Sequence, residues 1–466
     1  MTRKQQLLKR HRRNKRISLL IGLVILIACG VLVAWWLPLV LAVLGWIAHE
    51  AWFADHLFYA PQDDYQYRFT PDSECPAVRL EGSRLVLDAP IDLCGNETLI
   101  LALKVKSSWL GRFIDPFVVF SDDRQTFERG VNGLRYVNLT GNADALIAGE
   151  LNLRGRYCRV MGPPQLWVMR QPDYREQRVM VIAPHADDAE LAAFGLYSQA
   201  NEAWIVTLTA GEIEAEHYQQ MGLGRAEAAR LKGRLRAWDS VAVPRWAGVP
   251  EAQCVQLGYF CMQLQAMQAA PDQPQASREA DLADTRLFRQ FNGFALPGDA
   301  DGAPTWHNLI ADLRALLLKA RPQVIVLPTP LLDPHADHIC AHAAVLEALQ
   351  GLAWQPDTLL GYANHLHDND RWPMGDSGAG VALPPRFDGA VELVPCSFAL
   401  ALSQQQDKAM ALGMMHDLQP PAPFKRRVRR WLQQLLAGRR PSPYGENEFF
   451  RKAVRRHELL WVLKQD

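Results

Sequence analysis

The sequence predicts an α/β protein: a Rossmann-like parallel sheet with helices on both faces, preceded by an N-terminal transmembrane helix and a small β-sandwich domain. Three observations predict it. An uncharged apolar stretch lies close to the N-terminus, short strand-like runs separated by turns follow, and from residue 173 apolar strands alternate with amphipathic helices. The chain of 466 residues exceeds what one core usually supports, so roughly two or three domains are expected. Apolar residues make up 49% of it, with no low-complexity tract or internal repeat, which excludes an extensively disordered chain.

Residues 1–16 are strongly basic, with Arg3, Lys4, Lys9, Arg10, Arg12, Arg13, Lys15 and Arg16 ahead of the apolar run. Residues 17–36 are uncharged and match the ~20 residues needed to cross a bilayer, and weaker apolar sequence continues to residue 48. The run is too long for the ~7–15 residues of a signal-peptide core, and no small-residue cleavage site follows. Trp35 and Trp36 suit a membrane interface, with Pro38 just beyond. We therefore read 17–48 as a single anchor with a cytoplasmic N-terminus, the bacterial inner membrane if the source is bacterial, and with the remainder leaning to the far side. A second helix over 37–59 would have to carry His49, Glu50, Asp55 and His56 into lipid, at a cost. Residues 49–64 read as a linker.

Residues 65–170 hold strand-like runs at 84–87, 98–105, 117–120, 134–139 and 157–160, separated by turns such as Gly95-Asn96, Asn132-Gly133 and Gly141-Asn142. A β-sandwich is the natural reading, serving either as a sugar-presenting face or as a structural spacer. The eight cysteines show no CxxC spacing, so no cysteine zinc site is implied. Cys75 and Cys94 are candidates for a disulfide in an oxidising compartment, or are separate thiols.

Pro163-Pro164 and Gln171-Pro172-Asp173 mark the next boundary, and residues 173–466 form the α/β domain. Strands are expected at 178–182, 203–208 and 324–327, and helices at 225–238, 309–320 and 339–352. The Pro-, Ala-, Asp- and Gly-rich stretch 271–305 reads as a surface insertion or lid. Phe449-Phe450-Arg451 and residues 459–463 should return to this domain. A second basic region includes Lys425, Arg426, Arg427, Arg429, Arg430, Arg439 and Arg440, in a chain whose formal net charge is zero. Beside a membrane helix such a region favours anionic lipid over nucleic acid, and no nucleic-acid partner is expected; an ordinary solvated face is the alternative.

Two clusters carry the chemistry: Pro184-His185-Ala186-Asp187-Asp188 and His335-Ala336-Asp337-His338, each after an apolar strand and before a helix. In open α/β sheets ligands bind outside the carboxyl ends of strands, so the two loops can form one site. A catalytic zinc keeps three ligands from His, Asp or Glu and leaves room for water, and a neighbouring carboxylate can accept the proton of that water. Asp187 and Asp188 offer this division of labour. One cluster alone would be explained by aspartates closing turns; two in matching contexts favour a metal.

These motifs resemble those of the PIG-L/LmbE-like zinc de-N-acetylases, which read His-Pro-Asp-Asp and His-Pro-Asp-His. Ala186 and Ala336 stand here in place of both prolines, which would loosen each loop without removing a ligand. Ala189 intervenes before Glu190, a spacing some members share. The resemblance is specific at the motifs, spans about 178–349, and extends to Thr209-Ala210-Gly211-Glu212 and Arg225-Ala226-Glu227. It implies one zinc ion per chain held by His185, Asp188 and His338, with Asp187 as general base and His335 stabilising the oxyanion or protonating the departing amine. Asp337 would sit behind one histidine and set its tautomer, or cap the helix before Ile339. Arg225 would meet a sugar hydroxyl or phosphate, or be an ordinary surface arginine. His342, one helical turn after His338, is an alternative neighbour for the metal; His365, His367 and His416 have no motif context.

The expected function is that of a membrane-anchored hydrolase removing acetyl from an N-acetylglucosamine-like sugar on a lipid or polymer, with membrane lipids as neighbours. The rivals are metal-assisted hydrolysis of another amide or a phosphoester, and a non-catalytic, membrane-tethered glycan-binding protein.

Overall fold

The computed structural model describes residues 3–55, 61–366, 369–386, 389 and 391–464; the readings of His56 and His367 lie outside these. Strands β1 to β15 are Val78–Glu81, Arg84–Leu87, Thr98–Ser107, Phe117–Phe120, Asp123–Thr126, Asn132–Asn138, Arg154–Arg156, Cys158–Met169, Arg178–Ala183, Glu202–Thr209, Cys254–Tyr259, Val324–Pro328, Thr358–Tyr362, Val394–Ala399 and His457–Leu463. The longer helices, α1 to α8, are Arg3–Leu32, Leu37–Ala48, Asp188–Tyr197, Arg225–Ala242, Trp306–Ala320, Ala336–Leu349, Leu402–Met414 and Phe424–Ala437.

Within α1, Gln6–Leu32 is the one helix among the described residues long and apolar enough to cross a membrane. The helix breaks before Pro38, and α2 continues the apolar character for only 12 residues, none of them buried. The α-helical part of α2 ends at Ala48, and a π-helical turn, His49–Phe53, carries the first charged residue. The polar residues that follow turn to the protein body, Glu50 accepting a hydrogen bond from Arg429 Nε at 2.5 Å and Asp55 pairing with Arg439. The segment expected as a linker is held by ion pairs at least to Asp55.

The β-rich region consists of two antiparallel three-stranded sheets, ordered β6-β3-β8 and β5-β4-β7, and the hairpin β1-β2. Strand β3 explains its own composition, Thr-Leu-Ile-Leu-Ala-Leu-Lys-Val. Leu99, Leu101, Leu103 and Val105 join one core with Val118, Phe120, Val137 and Leu166. Ile100 and Ala102, on the opposite face, pack with Tyr136 and Met169 of the same sheet and with Leu459 and Trp461 of the α/β domain. A strand buried on both faces reads as a continuous apolar run instead of an alternating one. One face of this sheet is therefore a buttress for the α/β domain, not an open surface for sugar. Cys75 and Cys94 are unbridged thiols.

The α/β domain is built on a seven-stranded sheet ordered β11-β10-β9-β12-β13-β15-β14. The expected all-parallel sheet holds for β11 to β13 only. The β15 strand returns antiparallel between β13 and β14, so this half of the sheet is mixed. Side chains alternate along β9: Val179, Val181 and Ala183 face a core shared with α3 and α7, while Met180 and Ile182 face one shared with α5 and α6. The 271–305 stretch is not a loose lid. Its Phe288 packs on Phe260, and Arg289 pairs with buried Asp312 at 2.7 Å.

Chain order reverses between β9 and β12, which pair in parallel through Val179–Val324, Met180–Ile325 and Val181–Val326. A second tie lies at β15. Glu458 accepts from the amides of Gly195 and Leu196 in α3, at 2.7 and 3.1 Å, and pairs with Lys408 of α7 at 2.8 Å. Both side chains of this pair are 1% exposed. Glu458→Ala leaves a buried ammonium with the Leu191 carbonyl but without its counter-ion and should cost about 3–5 kcal/mol in chemical denaturation; a loss near zero would show that α3 and α7 do not depend on this tie.

Candidate active site

The loop leaving β9 is closed by its own carboxylate: Asp188 Oδ2 accepts from the backbone amide of His185 at 2.9 Å. The same oxygen lies 3.1 Å from His185 Nδ1 and 3.2 Å from Nε2 of His338, which projects from the first turn of α6. Asp188 Oδ1 accepts from Asn364 Nδ2 at 2.7 Å, which fixes the plane of the carboxylate. Between them Asp187 is held at φ 151°, a strained backbone for a residue with a side chain, as occurs where function over-determines local geometry.

Each histidine uses its other nitrogen. His185 Nε2 lies 3.2 Å from Asp337 Oδ2, which also accepts from the Met262 amide, and His338 Nδ1 lies 2.9 Å from Asp333 Oδ2. Asp333, wholly buried, further accepts from the amides of His335, Asn364 and His365. His335 stands with its ring centroid 5.0 Å from that of His185 and 4.9 Å from that of His338. Two buried nitrogens, His338 Nε2 and His335 Nδ1, have no hydrogen-bond partner. Two overlapping groups have donors close enough to share an ion: His185, His335 and His338, and His185, Cys261 and Asp337.

Burial opposes ionisation of Asp188, yet the His338 and His185 rings hold its carboxyl well below the usual range. Burial pushes Asp187 up to about 6, against the pull of Arg236, which lies 3.5 Å away, and with the help of Asp188. Burial and the neighbouring imidazoles lower His335 to about 4, so it is a neutral ring at pH 7. Glu190, buried against the Tyr197 hydroxyl, is raised to about 8. Two adjacent carboxyls are thereby driven apart, one firmly ionised and one near neutrality.

With this geometry in hand, the similarity to known proteins has a place to attach. Residues 180–349 match the family model PIG-L, described as GlcNAc-PI de-N-acetylase. This segment is a PIG-L domain. It contains both clusters, and the family it matches is one of metal-dependent hydrolases acting on N-acetylated sugar. Comparison with curated proteins finds no match. Among solved structures, the chain is similar to GalB, the 4-carboxy-2-hydroxymuconate hydratase from Pseudomonas putida KT2440, at 14% identity over 56% of this chain and 84% of that one, with a TM-score of 0.30. A family two carbohydrate esterase from Cellvibrio japonicus is 12% identical over 81% and 98%, with a TM-score of 0.17. Similarities at this level carry no functional argument.

The PIG-L domain brings His185, Asp187, Asp188, His335, Asp337 and His338 together. Arg225 instead stands exposed at the start of α4, paired with Glu279 at 3.0 Å. The arginine of that helix that meets the site is Arg236, three turns on, whose guanidinium bridges Asp187 and Asp417. His342 spends its Nδ1 on the Pro328 carbonyl, and His416 pairs with Asp239. His365, without motif context in sequence, stacks on His335 with centroids 5.3 Å apart. Asn364 and His365 lie beyond the matched segment, after β13. The one sequence signal for them is positional: like both clusters, they follow an apolar parallel strand at its carboxyl end. Asp333 had a similar signal, two residues ahead of His335.

Removing a carboxylate behind a ligating histidine typically costs 10–100-fold in metal affinity. Asp333→Ala should weaken divalent-metal binding by about that factor in a chelator competition assay. Unchanged affinity would exclude Asp333 as the group that orients His338.

Proposed function

We propose that this protein is a membrane-anchored, zinc-dependent hydrolase that removes the N-acetyl group from an N-acetylglucosamine-like sugar of a glycolipid or polysaccharide. One observation carries the reading. A single Asp188 oxygen lies 3.1 and 3.2 Å from nitrogens of His185 and His338 whose opposite nitrogens face Asp337 and Asp333. Ligand atoms about 2.0–2.2 Å from a tetrahedral zinc stand ~3.3 Å apart, close to these two spacings, and on that ground we assign the ion to His185, Asp188 and His338. His338 Nε2 fits too: it faces the Asp188 oxygen at 3.2 Å without making a hydrogen bond to it, as two ligands of one ion would. Zinc bound there would supply Lewis-acid polarisation of the amide carbonyl and would ease deprotonation of a nearby water.

The chain's own residues do the rest. Asp187 takes the proton of the attacking water as general base; its raised pKa strengthens it, and Arg236 holds it in place. His335, a neutral ring with a nitrogen that lacks a hydrogen-bond partner, stabilises the oxyanion through its N–H, or protonates the departing amine once it has received the proton that Asp187 took from the water. Asp337 and Asp333 hold the two ligating rings in the tautomers that present Nδ1 and Nε2 to the ion. Water adds across the amide, giving acetate and the free amine of the sugar. An anchor such as α1 favours substrates at the membrane, which points to a lipid-linked sugar.

A second reading, phosphoester hydrolysis, would use two ions. The overlapping donors His185, Cys261 and Asp337 favour it, but both sets draw on the one His185 ring. Metal analysis of the purified protein should find one zinc per chain, and two tightly bound ions would transfer the preference to phosphoesters. Asp187→Asn should retain that zinc while acetate release from N-acetylglucosamine-bearing lipid falls by roughly 10²–10⁴-fold; near wild-type turnover would falsify Asp187 as the base.

A further inference from the structure

Helix α8, Phe-Lys-Arg-Arg-Val-Arg-Arg-Trp-Leu-Gln-Gln-Leu-Leu-Ala, is amphipathic, and most of its large apolar side chains face out of the protein. A surface helix normally turns its apolar stripe to the core and its charges to water. Here the residues spaced three to four or seven apart, Phe424, Trp431 and Leu435, are 76%, 59% and 61% exposed. The side toward the protein holds Leu432 and Ala437 together with polar residues. Arg429 donates to Glu50, and buried Gln433 donates to the Glu50 carbonyl at 3.3 Å and to Asp55 at 3.4 Å. Glu50 and Asp55 belong to the segment that leaves the apolar helix α2, so α8 is fastened beside the end of the anchor.

The same side carries a second apolar projection. Trp109 and Leu110, 69% and 47% exposed, crown a turn whose Phe113 ring packs on Trp52 with centroids 5.8 Å apart. Trp52 Nε1 donates to the Phe113 carbonyl at 3.0 Å. The end of α8 touches this turn: a Cβ on Gly438 would lie 3.1 Å from Ile114, and Arg439 pairs with Asp115. Phe53, 67% exposed, lies in the same juxtamembrane segment. Lys425, Arg426, Arg427 and Arg440 are exposed in and just after α8.

We propose that α8 and the Trp109–Leu110 turn are a membrane-docking face that lies in the interfacial layer of the bilayer holding α1. This rests on the reading of α1 as an anchor. Three features select a phospholipid surface as the occupant: the apolar stripe faces away from the protein, the face is continuous with the anchor through Glu50 and Asp55, and basic side chains flank tryptophans as lipid phosphates require. The anchor alone would leave the domain free to swing. A docked α8 sets the height and tilt of the PIG-L domain over the membrane, so that a lipid-linked sugar is presented from one side.

The test uses the full chain in vesicles of phosphatidylcholine and phosphatidylglycerol, with a photo-crosslinking phenylalanine analogue placed singly at Trp431, Leu435, Leu23 of α1, or Trp238, exposed on α4. All four sites are on the surface, so folding is not at stake. Lipid adducts should form at Leu23, Trp431 and Leu435, with yields several-fold above that at Trp238. Adducts at Leu23 with only the Trp238 level at Trp431 and Leu435 would overturn the docking face and leave the anchor standing. Crosslinks from Trp431 to a second copy of the chain, in place of lipid, would overturn it in favour of self-association. Absence of lipid adducts at Leu23 would overturn the anchor and the docking face together.

Discussion

The parallel pairing of β9 with β12 is the constraint on which the rest depends. The strands pair through three residues each, and their carboxyl ends then release the two loops that carry the site. Because the order reverses there, neighbouring connections leave to opposite sides and a crevice opens between them. A slip of one residue in either strand would turn Val179 and Val181 out of one core and Met180 and Ile182 out of the other, so burial on both faces fixes the register and with it the approach of His185 to His338. The position of the donors follows from the sheet more than from the loops, which explains how alanine can stand where the family has proline.

Charge is concentrated in this crevice at a density that only mutual pairing makes tolerable. Asp188, Asp333 and Asp337 are all buried, and each meets a histidine nitrogen and at least one hydrogen-bond donor besides. Isolated carboxylates at such depth would take up protons instead of staying ionised. Here the network holds the Asp188 carboxylate charged, while Asp187, strained and only partly compensated by Arg236, is the more easily protonated of the two, as the proposed general base requires. Unpartnered nitrogens at His335 and His338 lie at the centre of the same network, where a substrate and an ion would supply the missing contacts.

The β-rich region and the anchor bear on where this chemistry happens. With Ile100 and Ala102 packed against Trp461 and Leu459, the β-rich region cannot swing independently of the α/β sheet. Ion pairs from Glu50 and Asp55 tie the segment leaving the apolar N-terminal helices to the same body, and with the proposed anchoring the docking face of α8 would complete a rigid placement of the site over a membrane.

Sequence by itself determined the local matters: the length and polarity of α1, the alternation of strand and helix after residue 173, and the two histidine–aspartate clusters, because each is written in contiguous residues whose spacing matches a physical period or a ligand geometry. It also placed the return of residues 459–463 in the α/β domain, though not their antiparallel direction. Tertiary structure alone decided the pairings between distant segments. Arg236 rather than Arg225 reaches Asp187, Asn364 and His365 join a site whose motifs end earlier, and a strand rich in leucine is buried on one side by its own sheet's core and on the other by a domain contributed from far along the chain. No local pattern encodes such contacts, since a side chain's partner is set by sheet order and packing. The reversed face of α8 shows the same limit: its amphipathic spacing is plain in the sequence, but which side meets the protein depended on Glu50 and Asp55 arriving from the other end of the chain.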